Sequence, residues 1–354
     1  MATLSTVSVG NVFDLIKLKL PDGSTLGSIL NALAERDDFT NLIPAFPANQ
    51  GLTHHDLRTI ALPSGDLVDV GGSWGTSKAE REAVVEALFT IRSAYKAPRD
   101  TFTTYDQETG MRLLSAEQNA HVMALNQQVI RMMFDGPATP DQSAIVGLIQ
   151  QDPYATYDNE FTFNVGGSGN DLRSAWLMKP GIDTLHVLYN KNHPTLGVEH
   201  EDMGVQLEEG LGTGNDEHRW NIWQEFMIQK GLFVRDQRAL KRICNVPCGV
   251  ADIPGADLIN QIINASIINT PTGGTMQVEA NGMVTDLPSP WLLMCDERLY
   301  AKLVIGANDK LFVHTSAANI YQTELPMIGP DIIIARMDSL NKVLGAGETV
   351  VAAA

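Results

Sequence analysis

Basic residues are in short supply in this chain. Lys and Arg number 25 against 42 Asp and Glu, a net charge of −17 with the eight histidines neutral. Binding driven by release of phosphate counterions needs clustered cations, so a dedicated nucleic-acid reader is excluded. Cysteine is equally scarce. Cys244, Cys248 and Cys295 are an odd number with one close pair, which argues for reduced thiols over a disulfide framework and supplies no second pair for zinc. Long apolar runs are missing as well: the longest uncharged stretch, 258–278, is broken by Asn260, Gln261, Asn264, Ser266 and Asn269, too many polar groups for hydrocarbon, and no membrane partner is expected. The opening residues, Met1-Ala2-Thr3-Leu4-Ser5-Thr6, have no basic segment followed by an apolar one, so no secretory leader is expected. What is present suffices to fold. Apolar residues make up 44% of the 354 and charged residues 19%, which excludes disorder and leaves material for one large or two medium cores.

The first 50 residues read as an arm with one short helix, where Leu26, Ile29, Leu30 and Leu33 follow Pro21-Asp22-Gly23-Ser24 and Pro44 and Pro47 close the segment. Two β-prone runs, 57–62 and 67–70, flank Pro63-Ser64-Gly65-Asp66 and predict a long hairpin, either an excursion of a larger sheet or an arm onto a neighbouring subunit. Ser77-Lys78-Ala79-Glu80 has the form of a capping box, and Val84, Val85, Leu88, Ile91, Arg92 and Tyr95 continue at helical spacing up to Pro98. A second box, Ser115-Ala116-Glu117-Gln118, predicts a helix over 115–134 with a stripe of Val122, Leu125, Val129, Met132 and Met133, stopped by Gly136-Pro137. Between 161 and 246 the pattern is mostly β, with strands at 185–189, 224–228 and 232–234. Helical spacing returns at Leu258, Ile259, Ile262, Ile263 and Ile267, and again near Asp296 with Leu299, Leu303 and Val304; 332–334 and 343–344 read as strand. No internal repeat occurs, and the fold class is α+β.

Motifs for chemistry are weak. Gly71-Gly72-Ser73-Trp74-Gly75 fits the nucleophile-elbow pattern, but the strand before Ser73 is short, the helix starts only after Ser77, and the one late histidine is His314. Gly210-Leu211-Gly212-Thr213-Gly214 lacks the ending of a phosphate loop and reads as a flexible turn. His193, Glu199, His200, Glu201 and Asp202 have neither zinc-helix nor calcium-loop spacing, and from 192 to 218 there are acids but no Lys or Arg, which reads as a solvated acidic loop. No catalytic, cofactor or metal residues are expected.

The order of the remaining segments carries more. Gly72-Ser73-Trp74-Gly75-Thr76-Ser77-Lys78, Ala124-Leu125-Asn126-Gln127-Gln128, Met133-Phe134-Asp135-Gly136, Ser174-Ala175-Trp176-Leu177, Gly231-Leu232-Phe233-Val234-Arg235-Asp236-Gln237-Arg238, Arg242-Ile243-Cys244-Asn245, Leu293-Met294-Cys295-Asp296-Glu297-Arg298-Leu299 and Ile328-Gly329-Pro330-Asp331-Ile332 together resemble the major capsid proteins of tailed bacteriophages with the HK97-like fold. The resemblance implies an N-terminal arm over 1–50, an extended loop over 51–78, a P-domain over 79–250 with its spine helix at 115–134, and an A-domain with C-terminal tail over 251–354. Because the strand-rich block precedes the helix at 258–269, it further implies a permuted order that makes the A-domain one continuous C-terminal segment.

The implied function is self-assembly, as hexamers and pentamers, into an icosahedral head around double-stranded DNA. Assembly would take place in the host bacterial cytoplasm, with decoration, scaffolding and portal proteins as further partners and an acidic lining that touches DNA only non-specifically. Candidate inter-subunit contacts are Arg58, Asp66, Trp74, Lys78, Glu117, Arg131, Arg235, Asp236 and Arg238. An encapsulin-like cage is the alternative within the fold, and a serine hydrolase using Ser73 the alternative outside it.

Overall fold

The computed structural model describes residues 37–103, 107–136, 146–157, 159–167, 172–193, 197–209, 218–248, 256–271, 273, 275–280, 283–308, 313–316, 325–328, 332–340 and 351. In chain order its elements are α1 (Phe39–Leu42), β1 (Ala45–Pro47), β2 (Thr53–Ala61), β3 (Glu80–Ala87), β4 (Phe89–Pro98), α2 (Arg99–Thr103), α3 (Gln107–Phe134), β5 (Thr162–Asn164), β6 (Leu172–Met178), β7 (Leu185–Tyr189), β8 (Val198–Glu209), β9 (His218–Val234), β10 (Leu240–Pro247), α4 (Ala256–Ile267), β11 (Thr275–Ala280), β12 (Met283–Pro288), β13 (Trp291–Cys295), α5 (Glu297–Asn308), β14 (Val313–Ser316), β15 (Leu325–Ile328) and β16 (Ile332–Arg336). The expected arm helix at 26–33, the glycine turn at 210–214 and the strand at 343–344 lie outside the described residues.

The chain divides into two compact units. Among the described residues one takes in 91–126 and 198–228, and the other takes in 37–90, 127–197 and the chain from 229 onward.

The larger unit is built on a seven-stranded sheet in the order β14-β15-β16-β13-β6-β10-β5. Its central strands are buried on both faces, as the runs Leu172–Met178 and Trp291–Cys295 show, so they read as continuous apolar segments without alternation. Ile243, Leu293 and Ile334 from the sheet pack with Leu258 and Ile262 of α4 and Leu299 of α5. Asp296 starts α5 by accepting the Leu299 amide at 2.9 Å. Trp176 of β6 packs at a tilt against Phe134 at 5.3 Å and edge-on to Tyr154 at 5.8 Å. The Arg242 guanidinium beside it is satisfied by Ser174 Oγ at 3.0 Å and the Tyr154 carbonyl at 2.7 Å. The same unit holds the β2–β3 hairpin and the antiparallel pairing of β7 with residues 230–234 of β9.

The smaller unit pairs β8 with the first part of β9 in antiparallel register, and β4 also pairs with β9. Here α3 places His121 in a stack with Phe226 at 5.4 Å and Gln118 in a bond to Gln224 at 3.0 Å.

Several sequence expectations change. Residues 77–95 are not a helix: extended chain leads into β3 at Glu80, and β4 follows from Phe89. Phe89, Ile91, Tyr95 and Ala97 are buried in alternation, and the period of two wins because β4 is held in a sheet by β9. The second arm of the hairpin is β3, not 67–70. The long helix begins at Gln107, which leaves Ser115 inside it and not at its cap. It does end where expected, with Asp135 donating to the Arg131 carbonyl at 2.7 Å and Gly136 at φ 80°. The strands expected at 224–228 and 232–234 are one continuous β9. The acidic stretch 198–209 is a strand, not a loop. The large sheet draws on both sides of residue 250, since β5, β6 and β10 share it with β13 to β16.

Candidate functional site

The hairpin in the larger unit reaches well past its own ladder. Thr53 pairs with Ala87 at its root and Ala61 with Glu80 at the last rung, after which residues 62–79 run without strand pairing. Side chains hold that end instead: Asp66 Oδ2 accepts the Gly75 amide at 2.7 Å, Ser77 Oγ donates to the Ser64 carbonyl at 2.5 Å, and Gly72 closes a turn on Asp69 at 2.9 Å. Among the described residues no core lies beneath it. Leu62, Leu67, Val70 and Trp74 are 83%, 106%, 109% and 78% exposed, a run of large apolar groups that a chain with only its own surface to cover would not leave in water.

The root, by contrast, is fixed. The Arg235 guanidinium binds Asp56 Oδ2 on β2 at 2.9 Å and Asp183 Oδ1 at 2.9 Å. His54 sits edge-on to Phe233 at 4.7 Å, and His186 lies 5.3 Å from the same ring. Burial pulls the His186 imidazole down to about 4 and lowers that of His54. Leu88 donates to the Leu52 carbonyl at 2.9 Å. At Gly231, a Cβ would come within 3.2 Å of the Ala87 carbonyl, so a glycine lets β9 pass this close to the root. A cavity of about 570 Å³ opens beside it, lined by Arg58, Val84 and Glu86 of the hairpin, Met133 of α3, and Tyr154 and Leu232. Burial there raises the Glu86 carboxyl to about 7.

The nine candidate contact residues part into three groups. Asp66, Trp74 and Lys78 lie on the exposed end of the hairpin, Lys78 just before β3 and not within a helix. Five others already have partners in their own chain. Arg58 pairs across the hairpin with Glu82 at 2.8 Å, and Arg131 donates to the Ser339 carbonyl at 3.2 Å. Arg235 holds the hairpin root, while Asp236 caps the short turn of residues 237–239 and binds Arg238 at 2.7 Å. Glu117 on α3 faces Tyr95, whose phenol is raised to about 12 by burial and then by that carboxylate.

Ser73 stands on exposed chain between a turn and strand β3, with no helix following it. The elbow geometry that activates a serine is therefore not built. Glu199, His200, Glu201 and Asp202 do not converge either, because they alternate between the two faces of β8.

One surface went unread in the sequence. Val205 of β8 pairs with Ile222 of β9, and Leu207 with Trp220, which puts four apolar residues on one face. Val205, Leu207 and Trp220 are about half exposed. The alternation Val205-Gln206-Leu207 was the available signal, hidden by the acids around it.

Comparison with known proteins adds the identity of the fold. A family model described as Major capsid protein GP7 matches residues 21–303. No curated protein matches the chain. Among solved structures, a chain of bacteriophage Epsilon15 superposes with a TM-score of 0.63 at 18% identity, covering 100% of both chains. The bacteriophage JBD30 capsid gives 0.46 at 12% identity over 88% of this chain and 93% of that one. The SrpI encapsulin of Synechococcus elongatus gives 0.38 at 10% identity over 63% and 92%. The Epsilon15 likeness defines the fold, and the other two are too loose to add to it.

Proposed function

This chain belongs to the major capsid protein GP7 family, and from that premise we propose that its copies pack as hexamers and pentamers into the icosahedral head of a tailed bacteriophage, around double-stranded DNA. It is a structural protein of the virion shell and not an enzyme. The observation that supports an interlocking role is the hairpin: a root tied down by Arg235 and the His54–Phe233 contact, and an end that exposes Leu62, Leu67, Val70 and Trp74. We assign that end, with Asp66 and Lys78, to a neighbouring subunit, which would bury apolar area that the single chain leaves in water. The six other candidates act at most at the edges of such contacts, since five of them are bonded within their own chain. Decoration, scaffolding and portal proteins are further partners of this role, and assembly belongs in the host bacterial cytoplasm. The net charge of −17 suits a lining that DNA packs against without adhering.

The test is negative-stain microscopy of the purified chain beside a variant in which residues 62–79 are replaced by a two-residue Asn-Gly turn. Wild type is expected to give closed particles. The variant is expected to be folded by circular dichroism and to form no shells, and normal particles from it would remove the hairpin from the assembly mechanism.

A further inference from the structure

The cavity beside the hairpin root is large enough to hold an organic molecule. Its volume of about 570 Å³ falls inside the span of about 300 to 1,000 Å³ typical of small-molecule sites. It lies wholly within the larger unit, and its walls come from both sides of a joint. Arg58, Val84 and Glu86 belong to the hairpin, whereas Met133, Tyr154 and Leu232 belong to the body on which the hairpin is rooted. Phe89, Met133 and Leu232 are buried core residues and make part of the wall apolar.

The polar groups of the wall select the charge of an occupant. Among the described residues Arg58 is the one cation there, and Glu82 already binds its guanidinium at 2.8 Å. An anion therefore finds no open partner. Glu86 and Asp152 are the acids, and Glu86 is the more telling of the two. Burial alone shifts its carboxyl, so no cation or hydrogen-bond donor among the described residues offsets the water it has lost. The Tyr154 hydroxyl is also buried without a hydrogen-bond partner. A purely apolar occupant would strip more water from these groups and return no bond. An ammonium group supplies what Glu86 lacks, a cationic donor to its ionised form.

We propose that this cavity is a binding site for an amphipathic organic cation, with its apolar body against Phe89, Met133 and Leu232 and its ammonium group on the Glu86 carboxylate. The occupant touches hairpin and body together, so it ties β3 to β9 and stiffens the joint that carries the exposed end. Because Glu86 holds its proton up to about pH 7, a cation must displace that proton below this value, and affinity falls as the pH drops. The other ionisable groups around it are Arg58, Asp152 and Tyr154 on the wall and His54 opposite it on the β2–β3 ladder. The site is complete in one chain and does not depend on the capsid reading.

Three probes of similar size test it on the purified full chain by titration calorimetry: 2-phenylethylammonium, 2-phenylethanol and phenylacetate. At about pH 8 the ammonium probe is expected to bind about tenfold tighter than the alcohol, and the anion not to bind. Lowering the pH to about 5.5 is expected to erase most of that advantage. Glu86→Gln, with its fold checked by circular dichroism, is expected to bind ammonium and alcohol alike at both pH values. Hydrogen exchange in wild type is expected to slow at 80–87 and 230–234 when the ammonium probe is present. Equal affinity of wild type for ammonium and alcohol overturns the proposal. So does an ammonium affinity that Glu86→Gln leaves unchanged, which would place the cation on the acidic surface at large. If none of the three probes binds, the cavity holds water only and the proposal fails. Should the variant not fold, the pH series and the alcohol comparison on wild type decide the question by themselves.

Discussion

Glu86 shows what a single buried carboxyl does to the hairpin root. In the unfolded chain it ionises near 4.5, and in the folded chain burial beside the cavity delays this to about 7. The folded state thus holds the extra proton between those values, so stability from this group is unaffected below 4.5 and falls as pH rises to 7. Glu86→Gln removes the cost. It is expected to leave the urea midpoint of the chain nearly unchanged at pH 4.5 and to raise stability by on the order of 3 kcal/mol at pH 8; equal effects at both pH values would mean that the carboxyl is solvated. His186 and His54 act in the opposite direction. Their pKa values are lowered by burial, so the unfolded chain takes up their protons first and stability falls as pH drops from about 6.5 toward 4. His186→Phe is therefore expected to flatten the acid limb, measured by the same urea series, without altering the limb that belongs to Glu86. None of these environments could be read from sequence, because burial of a charged residue depends on what packs over it. Lys241 is the clearest example: it lies in a strand that is buried along nearly its whole length, donating to the Ala265 and Ile268 carbonyls at the end of α4 and sitting 5.2 Å over Trp291, where alternation would have turned it to water.

Elements were legible where one period and one boundary signal agreed. Helix α4 follows from its apolar spacing, and α5 from that spacing plus the Asp296 cap. The long helix α3 was found by its stripe, and the structure buries Leu125, Val129 and Met133 along it. Val129→Asp would set an unpaired carboxylate at a position only 2% exposed, at a cost of several kcal/mol or more by order of magnitude. Insoluble or unassembled protein is expected, and particles with the melting temperature of wild type would show that the stripe is not a core face. Legibility failed where two periods overlapped. In 84–97, Leu88, Ile91 and Tyr95 satisfy helical spacing while Phe89, Ile91, Tyr95 and Ala97 satisfy alternation, and Glu and Ala are good helix formers. The partner strand decides, and β9 is more than a hundred residues away in sequence. The same holds for β8, whose acids resembled a loop until its ladder with β9 was in view. The hairpin was foreseen but its second arm was misplaced, because Pro63-Ser64-Gly65-Asp66 looked like the turn itself when it is part of a longer unpaired end.

At the scale of the whole molecule, the capsid reading was recoverable because it rested on the order of many weak motifs, whereas the contact residues rested on single positions, and several of those turned out to be bonded within their own chain. The same distinction bears on how the shell holds together. A covalent joint between subunits would need a lysine amine able to lose its proton and attack a neighbour's side-chain amide, or a pair of accessible thiols. The sequence from 51 to 77 contains no lysine. The first lysine after it, Lys78, lies on exposed chain just before β3. Cys244, Cys248 and Cys295 are all buried and in no disulfide, so no thiol stands at the hairpin. Particle strength must then come from buried area and from interlocked segments, which detergent and heat undo. Purified particles boiled in SDS without reductant are expected to release a single band near 38.5 kDa. A ladder of covalent oligomers would refute this, and its loss in Lys78→Arg would identify the amine responsible, since arginine keeps the charge but cannot form the amide.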